Sequence, residues 1–366
     1  METSNAVEFQ NVSKSYGAEA VVDGVDLRIG NGEFFVLIGP SGCGKTTSLK
    51  MINRLISQSS GLITVRGRDV SKLDPVELRR SIGYVIQHIG LLPHLTIQDN
   101  ITFVLQLRKV PRRRMEQVAS ELIQKVGLPI DFLRRHPREL SGGQQQRVGV
   151  ARALAADPEI LLMDEPFGAI DPITRGQLQN ELLRLQQSIR KTIVFVTHDM
   201  QEAFKLGDRI AVMKQGRLAA LGTPLDIVRS EDVFVQSFIG RGAVFDALNS
   251  VEISRIMDPP PPTLALGSPF PDPGAVQEYV FVKDDHGRCL GWAELPVDSS
   301  VRTISEAHVL TFDRVFKPGS SVKAAVEEML LAGRTWLPVM DEDRSLLGLV
   351  TFEACSALIS QGGRVH

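Results

Sequence analysis

The sequence predicts an α/β protein, in which helices cover a parallel sheet and a second, smaller α/β region follows. From about residue 5 to residue 240, short β-rich runs alternate with longer helical patterns. Three of these runs, residues 33–38, 159–163 and 192–197, are almost continuously apolar. Such runs are typical of parallel strands that helices bury on both faces.

Length, composition and charge exclude several classes of protein. The 366 residues predict two or three domains, at roughly 100 to 200 residues each. With 43% hydrophobic and 23% charged residues, the chain can bury a full core, which excludes dominant disorder. Its net charge of −2 provides no chain-wide positive field for nucleic acid or an anionic membrane. Any phosphate chemistry must therefore be local, and no nucleic-acid partner is expected.

The cysteines and the apolar runs indicate a reducing compartment and a chain that does not itself cross a membrane. The three cysteines, Cys43, Cys289 and Cys355, match neither a disulfide framework nor a metal-ligand pattern. The N-terminus shows no secretory signal. No apolar run approaches the roughly 20 residues that a membrane-spanning helix needs. Any work at a membrane would therefore go through a partner.

Charge and proline content divide the chain near residue 240. Residues 241–366 carry 11 Lys or Arg and 17 Asp or Glu, a net charge of −6, whereas residues 1–240 carry 30 against 26, a net charge of +4. Residues 258–273 contain seven prolines, which sustain neither a helix nor a central strand. We predict one domain over residues 5–240 and another over residues 241–366, with the proline-rich stretch as an extended connector inside the second.

The second region contains an internal repeat at an offset of 57 residues. Residues 279–292 align without a gap on residues 336–349, and both segments follow the pattern strand, acidic turn, Leu-Gly, strand. A predicted amphipathic helix over residues 321–330 precedes the second copy, with Ser320 or Ser321 as its N-cap. The first copy is preceded by the proline-rich stretch instead.

A phosphate-binding loop follows the first predicted strand. Residues 39–46, Gly-Pro-Ser-Gly-Cys-Gly-Lys-Thr, fit G-x-x-x-x-G-K-[ST] between the strand ending at Ile38 and a helical stretch over residues 46–55. The glycines let backbone N–H groups face phosphates, and the helix N-terminus adds its positive end. In this pattern Lys45 reaches the β and γ phosphates, and Thr46 ligates Mg²⁺.

Two further segments suit the same chemistry. A buried strand over residues 160–163 ends in Asp164 and Glu165. One carboxylate suits Mg²⁺ and the next suits an attacking water, although alone the pair could equally be solvated at the strand end. Residues 140–144, Leu-Ser-Gly-Gly-Gln, open a helical stretch over residues 145–155 and form a second anion site. The two phosphate-binding helix starts lie about a hundred residues apart in the sequence. For both to contact one nucleotide, two chains that face each other are a simpler geometry than one chain that folds the second helix start over the first.

In this order the segments resemble the ATP-binding subunits of ABC transporters, over residues 5–240. The landmarks are Tyr16 for the aromatic that stacks on adenine, residues 39–46 for Walker A, Gln87 for the Q-loop, residues 140–144 for the signature, Asp164 and Glu165 for Walker B with its catalytic Glu, Asp171 for the D-loop and His198 for the switch histidine. Outside this frame, Tyr16, Gln87 and His198 are more simply packing or strand-end residues, and Cys43 is a small filler of the loop.

The resemblance implies a head-to-tail homodimer in which each of two ATP molecules lies between Walker A of one chain and the signature of the other. The residues implied to bind nucleotide are Tyr16, Gly39, Pro40, Ser41, Gly42, Cys43, Gly44, Lys45, Thr46, Thr47, Gln87, Ser141, Gly142, Gly143, Gln144 and Asp171. The implied Mg²⁺ ligands are Thr46, Gln87 and Asp164. Glu165 is implied to polarise the attacking water, His198 to hold the γ-phosphate and water in line, and Lys45 to complete the catalytic set.

A separate ATPase chain without fused membrane helices resembles importers more than exporters. Residues 72–97 look closest to importers of the osmoprotectants glycine betaine, carnitine and choline, as does a C-terminal pair of CBS-like repeats. The implied partners are an integral membrane permease and an extracytoplasmic substrate-binding protein, with peripheral attachment at the cytoplasmic face of the inner membrane. The alternatives are an importer ATPase for another solute such as an amino acid or polyamine, a non-transport ABC ATPase, and a ligand-sensing regulator.

The tail resembles a tandem CBS domain in degenerate form. Many such domains follow the Thr of the last strand with an Asp three residues later, which holds a ribose. Here Thr351 is followed at that position by Ala354, and the first copy has Glu294 in place of the Thr. A dimer-stabilising or vestigial regulatory role is therefore at least as well supported as nucleotide sensing, and the net charge of −6 gives no basic surface for anionic lipid.

Overall fold

The computed structural model describes residues 5–87, 90–168, 170–240, 243–270, 279–294, 303–312 and 314–360. The chain divides into two compact units, Met1–Ala243 and Val244–His366. Residues 88–89, next to the predicted Q-loop glutamine, and residues 271–273 of the proline-rich stretch lie outside the described residues.

The first unit alternates strands and helices along most of its length. Its strands are β1 (Val7–Tyr16), β2 (Glu19–Ile29), β3 (Phe34–Ile38), β4 (Ser60–Val65), β5 (Arg68–Asp69), β6 (Ile82–Val85), β7 (Ile160–Asp164), β8 (Thr192–Thr197), β9 (Arg209–Lys214) and β10 (Arg217–Gly222). Its helices are α1 (Lys45–Ile52), α2 (Pro75–Ser81), α3 (Ile97–Leu107), α4 (Arg112–Lys125), α5 (Gly142–Leu154), α6 (Pro172–Ile189), α7 (Met200–Leu206), α8 (Pro224–Val228) and α9 (Val233–Ile239).

The predicted parallel sheet is confirmed. Strands lie in the order β10-β9-β3-β8-β7-β6, and every neighbouring pair is parallel except the antiparallel edge pair of β9 with β10. Every residue of β3, β7 and β8 is buried, which explains their continuous apolar sequences. The sheet therefore aligns the carboxyl ends of these strands at one edge.

A second, antiparallel sheet of order β2-β1-β4-β5 shares a hydrophobic core with the first. Phe9 and Ile63 of this sheet belong to the same buried cluster as Leu37 and Leu162 of the parallel sheet, and α1 contributes Leu49. The helix that follows the phosphate-binding loop is thus held by the core, so the loop stands on a rigid base.

Between β6 and β7 the chain forms a layer of helices, in which α3, α4 and α5 contact one another. α5 begins at Gly142, directly after the predicted signature serine. The predicted α/β fold is therefore observed, and the helix predicted over residues 145–155 begins three residues earlier, at Gly142.

The second unit is smaller, and its described residues form two separate sheets. Its elements are α10 (Ala243–Ala247), β11 (Thr263–Ala265), β12 (Tyr279–Lys283), β13 (Cys289–Glu294), α11 (Val322–Ala332), β14 (Trp336–Met340), β15 (Leu346–Thr351) and α12 (Phe352–Ser360). The sheets have the orders β11-β12-β13 and β14-β15. The proline-rich stretch contributes β11, an edge strand, as the prolines allow. Ser321 caps α11, one of the two predicted N-caps.

The internal repeat is confirmed in the hydrogen-bonding register of the two hairpins. In the first, Tyr279 pairs with Glu294, and in the second Trp336 pairs with Thr351, so the offset of 57 residues holds on both strands. The acidic turns also match, since the Asp284 carboxylate accepts the N–H groups two and four residues later, and Asp341 does the same. One local structure is therefore built twice.

We expect Gly291→Ala to destabilise the second unit by about 1–3 kcal/mol. A Cβ at Gly291 would lie 2.2 Å from the backbone oxygen of Leu310, so one of two hydrogen-bonded segments must shift. Gly319→Ala is the matched control, because its added methyl would meet no atom within 4 Å. Both tryptophans, Trp292 and Trp336, lie in this unit, so thermal unfolding followed by tryptophan fluorescence reports on it. Equal melting temperatures for Gly291→Ala and the wild type would contradict the close packing.

No helix among the described residues is long and apolar enough to cross a membrane.

Candidate active site

Three strand ends bring the predicted motifs to one edge of the parallel sheet. Ile38 of β3 lies opposite Thr197 of β8, and Asp164 of β7 lies opposite Val196 of β8. The residues that follow these parallel strands therefore all leave at the carboxyl edge, where open α/β sheets bind their ligands.

Two glycines let the phosphate-binding loop lie close to neighbouring backbone. A Cβ on Gly39 would lie 2.3 Å from the carbonyl oxygen of Met213, and one on Gly44 would lie 2.5 Å from that of Val21. Gly44 also has a φ of 103°, which other residues rarely adopt. Residues 40–42 are exposed, whereas Cys43 is buried beneath the loop. The outer backbone of the loop is thus open to a ligand.

Lys45, the first residue of α1, is only 5% exposed. Its Nζ donates hydrogen bonds to the carbonyl oxygens of Gly39 at 2.7 Å and Pro40 at 2.9 Å. The ammonium group is therefore held inside the curve of the loop. Phosphate oxygens placed there would exchange these neutral acceptors for charged ones, and charge-assisted hydrogen bonds are stronger.

Thr46 and Asp164 place two oxygen ligands side by side. Thr46 Oγ1 donates to Asp164 Oδ1 at 2.8 Å. Burial raises the pKa of Asp164, and the hydrogen bond from Thr46 opposes that shift. Tyr84 of β6 lies close to the same carboxylate, and burial, together with the negative charge of Asp164, raises the pKa of Tyr84. Hydroxyl and carboxylate oxygens are ligands that suit Mg²⁺.

Glu165 lies at the centre of a second cluster. Its Oε2 accepts a hydrogen bond from Gln87 Nε2 at 3.1 Å and lies 3.2 Å from His198 Nδ1. The φ of Glu165 is 43°, a left-handed conformation that is uncommon for a residue other than glycine. Its N–H donates to the Val196 carbonyl oxygen at 2.9 Å, which fixes this backbone on β8. Strained backbone held in this way is typical of functional sites.

The signature residues form the start of α5. Ser141 is the N-cap of α5: its Oγ accepts the N–H of Gln144 at 3.4 Å, and Gln144 Oε1 accepts the N–H of Ser141 at 2.9 Å. A Cβ on Gly142 would meet no atom within 4 Å, whereas one on Gly143 would lie 2.9 Å from Thr174 of α6. The signature therefore has one open side and one side against α6.

Tyr16 and Asp171 lie at the ends of two other elements. Tyr16 ends β1 opposite Glu19 of β2, with 51% of its surface exposed and Lys14 Nζ 4.9 Å from its ring centre. An exposed aromatic ring is suited to stacking on a base. Asp171 caps α6 by accepting the N–H of Thr174 at 3.0 Å.

The structure thus brings most of the predicted site residues together, in two neighbouring clusters at the sheet edge. Lys45, Thr46 and Asp164 form one, and Gln87, Glu165 and His198 form the other; Thr47 follows in α1. The signature residues instead contact one another and α6.

Sequence reasoning missed two side chains that support these clusters. Tyr84 lies beside Asp164, and the buried carboxylate of Glu202 accepts a hydrogen bond from the hydroxyl of Thr197, directly before His198. A signal for Glu202 existed, since this acidic residue lies one turn after His198, in the first turn of a helix whose residues Met200, Ala203, Phe204 and Leu206 are apolar.

Comparisons with known proteins agree with this geometry. Residues 22–168 match the family model described as ABC transporter. The chain is 46% identical to the choline transport ATP-binding protein OpuBA of Bacillus subtilis (strain 168), over 93% of each chain. It is 43% identical to the glycine betaine/carnitine/choline transport ATP-binding protein OpuCA of the same strain, over 94% of each.

A solved structure supports the same relationship. The ATP-binding cassette MJ0796, in a dimeric post-hydrolysis state bound to ADP and Pi, is 36% identical with a TM-score of 0.54, over 59% of this chain and 97% of that one. Because two relatives at more than 40% identity extend over nearly the whole sequence, the chain belongs to the family of ABC transporter ATP-binding proteins and is an ABC-type ATPase.

Proposed function

We propose that this chain is the ATP-hydrolysing subunit of an ABC importer, and that it powers uptake of a quaternary amine such as glycine betaine, choline or carnitine. The observation that carries the proposal is the identity of 46% and 43%, along more than nine tenths of the sequence, to proteins named for transport of these solutes. Similarity over both units, and not only over the ATPase unit, favours this group over ABC ATPases for other solutes.

ATP would bind along the carboxyl edge of the sheet. Tyr16 would stack on the adenine, and the backbone of residues 39–47 would surround the phosphates, with the N-terminus of α1 directed at them. The ammonium of Lys45 would exchange the carbonyl oxygens of Gly39 and Pro40 for β- and γ-phosphate oxygens.

The residues at this edge fit a Mg²⁺ ion. Thr46 Oγ1 and Asp164 Oδ1, 2.8 Å apart, would hold it with Gln87, and the phosphates would complete its oxygen ligands. When bound, the ion would neutralise charge on the phosphates. The Thr46 hydroxyl would keep the Asp164 carboxylate oriented.

Hydrolysis would depend on positioning by the second cluster. The Glu165 carboxylate would accept a hydrogen bond from the attacking water and direct it at the γ-phosphorus. His198, 3.2 Å from Glu165, would hold the γ-phosphate and the water in line. Gln87 donates to the same Glu165 oxygen, so it would fix the carboxylate that receives the water.

A second copy of the chain would complete each site. Ser141, Gly142, Gly143 and Gln144 would contact the γ-phosphate bound by the partner, and Asp171 would lie beside it. The exposed start of α5 and the dimeric state of the similar cassette MJ0796 support this arrangement. A membrane permease and an extracytoplasmic substrate-binding protein would form the rest of the importer, with this chain peripheral at the cytoplasmic face of the inner membrane.

We infer that residues 241–366 form a degenerate tandem of CBS-like repeats. The equal registers of the two hairpins support an internal duplication. The bridges support it too, because Leu310 pairs with Trp292 and Asp258 pairs with Leu349, which is the equivalent of Trp292 in the second copy. Stabilisation of the dimer or regulation of transport is the role we assign to this region.

Uptake of labelled solutes tests the proposal. Cells lacking this chain, cells with the wild type and cells with Glu165→Gln are compared for glycine betaine, choline and carnitine at low and high osmolarity. We expect uptake of at least one amine to require the wild-type chain. Unchanged uptake of all three, with loss of amino-acid or polyamine uptake, would refute the quaternary-amine assignment. No change for any solute would favour a non-transport ATPase.

A further inference from the structure

The strand that carries His198 ends in a buried hydroxyl with two hydrogen bonds. Thr197, only 2% exposed, donates from Oγ1 to Glu202 Oε2 at 2.6 Å and accepts the backbone N–H of Asp199 at 3.0 Å. Because an ionised carboxylate only accepts hydrogen bonds, the hydroxyl proton is directed at Glu202, which leaves the oxygen free to accept the N–H of Asp199. This hydroxyl therefore fixes the backbone on both sides of His198.

The other oxygen of Glu202 reaches a different helix. Gln179 Nε2, on α6, donates to Glu202 Oε1 at 3.2 Å. Lys205 Nζ donates to Gln179 Oε1 at 3.1 Å, which sets the orientation of the amide. Glu202 thus joins the end of β8 to α6, the helix that Asp171 caps.

Glu202 is 4% exposed, and burying a carboxylate is costly unless hydrogen bonds offset the loss of water. Burial raises the pKa of Glu202, and the nearby Asp199 adds to the shift. Hydrogen bonds from Thr197 and Gln179 and the charge of Arg175 act in the opposite direction. The groups that hold the carboxylate are therefore the residue before His198 and residues of α6.

The imidazole of His198 has less support of its own. Its side chain is 60% exposed and contacts Glu165 at 3.2 Å. Its location consequently depends on the backbone from which it projects. A displacement of catalytic groups by about 1 Å can lower a rate by about 100-fold.

We propose that Glu202 is a positioning residue for His198, which it holds through the Thr197 hydroxyl and ties to α6 through Gln179. This inference rests on the proposed function, because it assumes that His198 acts in ATP hydrolysis. It adds a hydrogen-bonded connection between α6, whose start Asp171 caps, and the strand end that carries the switch histidine.

The test begins with variants that remove single hydrogen bonds from the full-length chain. Thr197→Val keeps the side-chain volume but loses the hydroxyl. Glu202→Gln keeps the side-chain shape but replaces one of the two accepting oxygens by an NH₂ donor, so it cannot accept from both Thr197 and Gln179 through separate oxygens. We expect each to lower kcat for ATP hydrolysis about 10-fold or more, with the KM for ATP within about twofold, because neither touches the phosphate-binding loop. Thr197→Ser, which keeps the hydroxyl, is expected to restore kcat.

Thr192→Val is the matched control. Thr192 is also buried and also on β8, but at the opposite end, where its hydroxyl accepts the N–H of Gly32 at 2.9 Å. It is expected to lower the melting temperature without lowering kcat. If Thr192→Val lowered kcat as much as Thr197→Val, a general effect of strand stability would replace the proposal.

A double-variant comparison separates this proposal from the function itself. In a His198→Ala background, Thr197→Val and Glu202→Gln are expected to lower kcat no further, since they act through the missing imidazole. Equal fold-losses in both backgrounds, or wild-type kcat in the single variants, would overturn the positioning role and leave the proposed function intact. Unchanged kcat in His198→Ala alone would instead refute the role of His198, and the positioning role with it.

Discussion

Glu165→Gln is expected to lower the rate of ATP hydrolysis by about two to three orders of magnitude while ATP binding persists. The glutamine keeps the volume and the contact with Gln87 and His198, but its amide accepts a proton far more weakly than a carboxylate. The phosphate-binding loop is untouched, so affinity for ATP should change little. Phosphate release at saturating ATP and equilibrium nucleotide binding measure the two quantities separately.

Glu159→Gln is the control for this variant. Glu159 directly precedes β7, whereas Glu165 directly follows it, and Glu159 is 57% exposed in an ion pair with Arg66. Surface ion pairs contribute about 0–1 kcal/mol, so this change should leave hydrolysis at the wild-type rate. Hydrolysis by Glu165→Gln within about threefold of wild type would refute the role of Glu165.

Lys45→Ala is expected to weaken ATP binding about 100-fold. Two charge-assisted hydrogen bonds to phosphate, at about 1.5 kcal/mol each, correspond to a loss of this size. Nucleotide affinity measured by titration calorimetry tests it, with circular dichroism to verify folding, because the substitution also removes the donor to Gly39 and Pro40.

Lys72→Ala serves as the control for the loss of one positive charge. Lys72 is 83% exposed and lies 3.5 Å from Asp69, outside the phosphate-binding loop. ATP affinity equal to wild type is expected. If Lys45→Ala bound ATP as tightly as Lys72→Ala, the loop would not be the phosphate site.

The parallel sheet could be predicted because its central strands are buried on both faces and therefore carry continuous apolar runs. The strand predicted over residues 192–197 is β8. The strand predicted over residues 33–38 begins one residue before β3, and the one predicted over residues 159–163 begins and ends one residue before β7. The alternation of apolar and polar residues could not reveal β11, because a strand of three residues in a proline-rich stretch gives no periodic pattern. Its pairing with β12 comes from tertiary contacts alone.

The sequence predicts those parts of the site that lie in contiguous motifs. Lys45 and Thr46 lie in one loop, and Asp164 and Glu165 end one strand, so their spacing specifies their chemistry. The contacts of Tyr84 with Asp164 and of Thr197 with Glu202 depend on which strands are neighbours and on which way a hydroxyl turns. Neither property is visible in a single sequence.

The central claim is that this chain couples ATP hydrolysis to quaternary-amine uptake. The most direct measurement follows both in one preparation: vesicles that contain the chain with its permease and substrate-binding protein, with ATP at the face of this chain and labelled amine at the other. We predict that phosphate release and amine uptake rise together and that Glu165→Gln abolishes both. Amine uptake that persists with Glu165→Gln, or ATP hydrolysis without uptake of any of the three amines, would contradict the account.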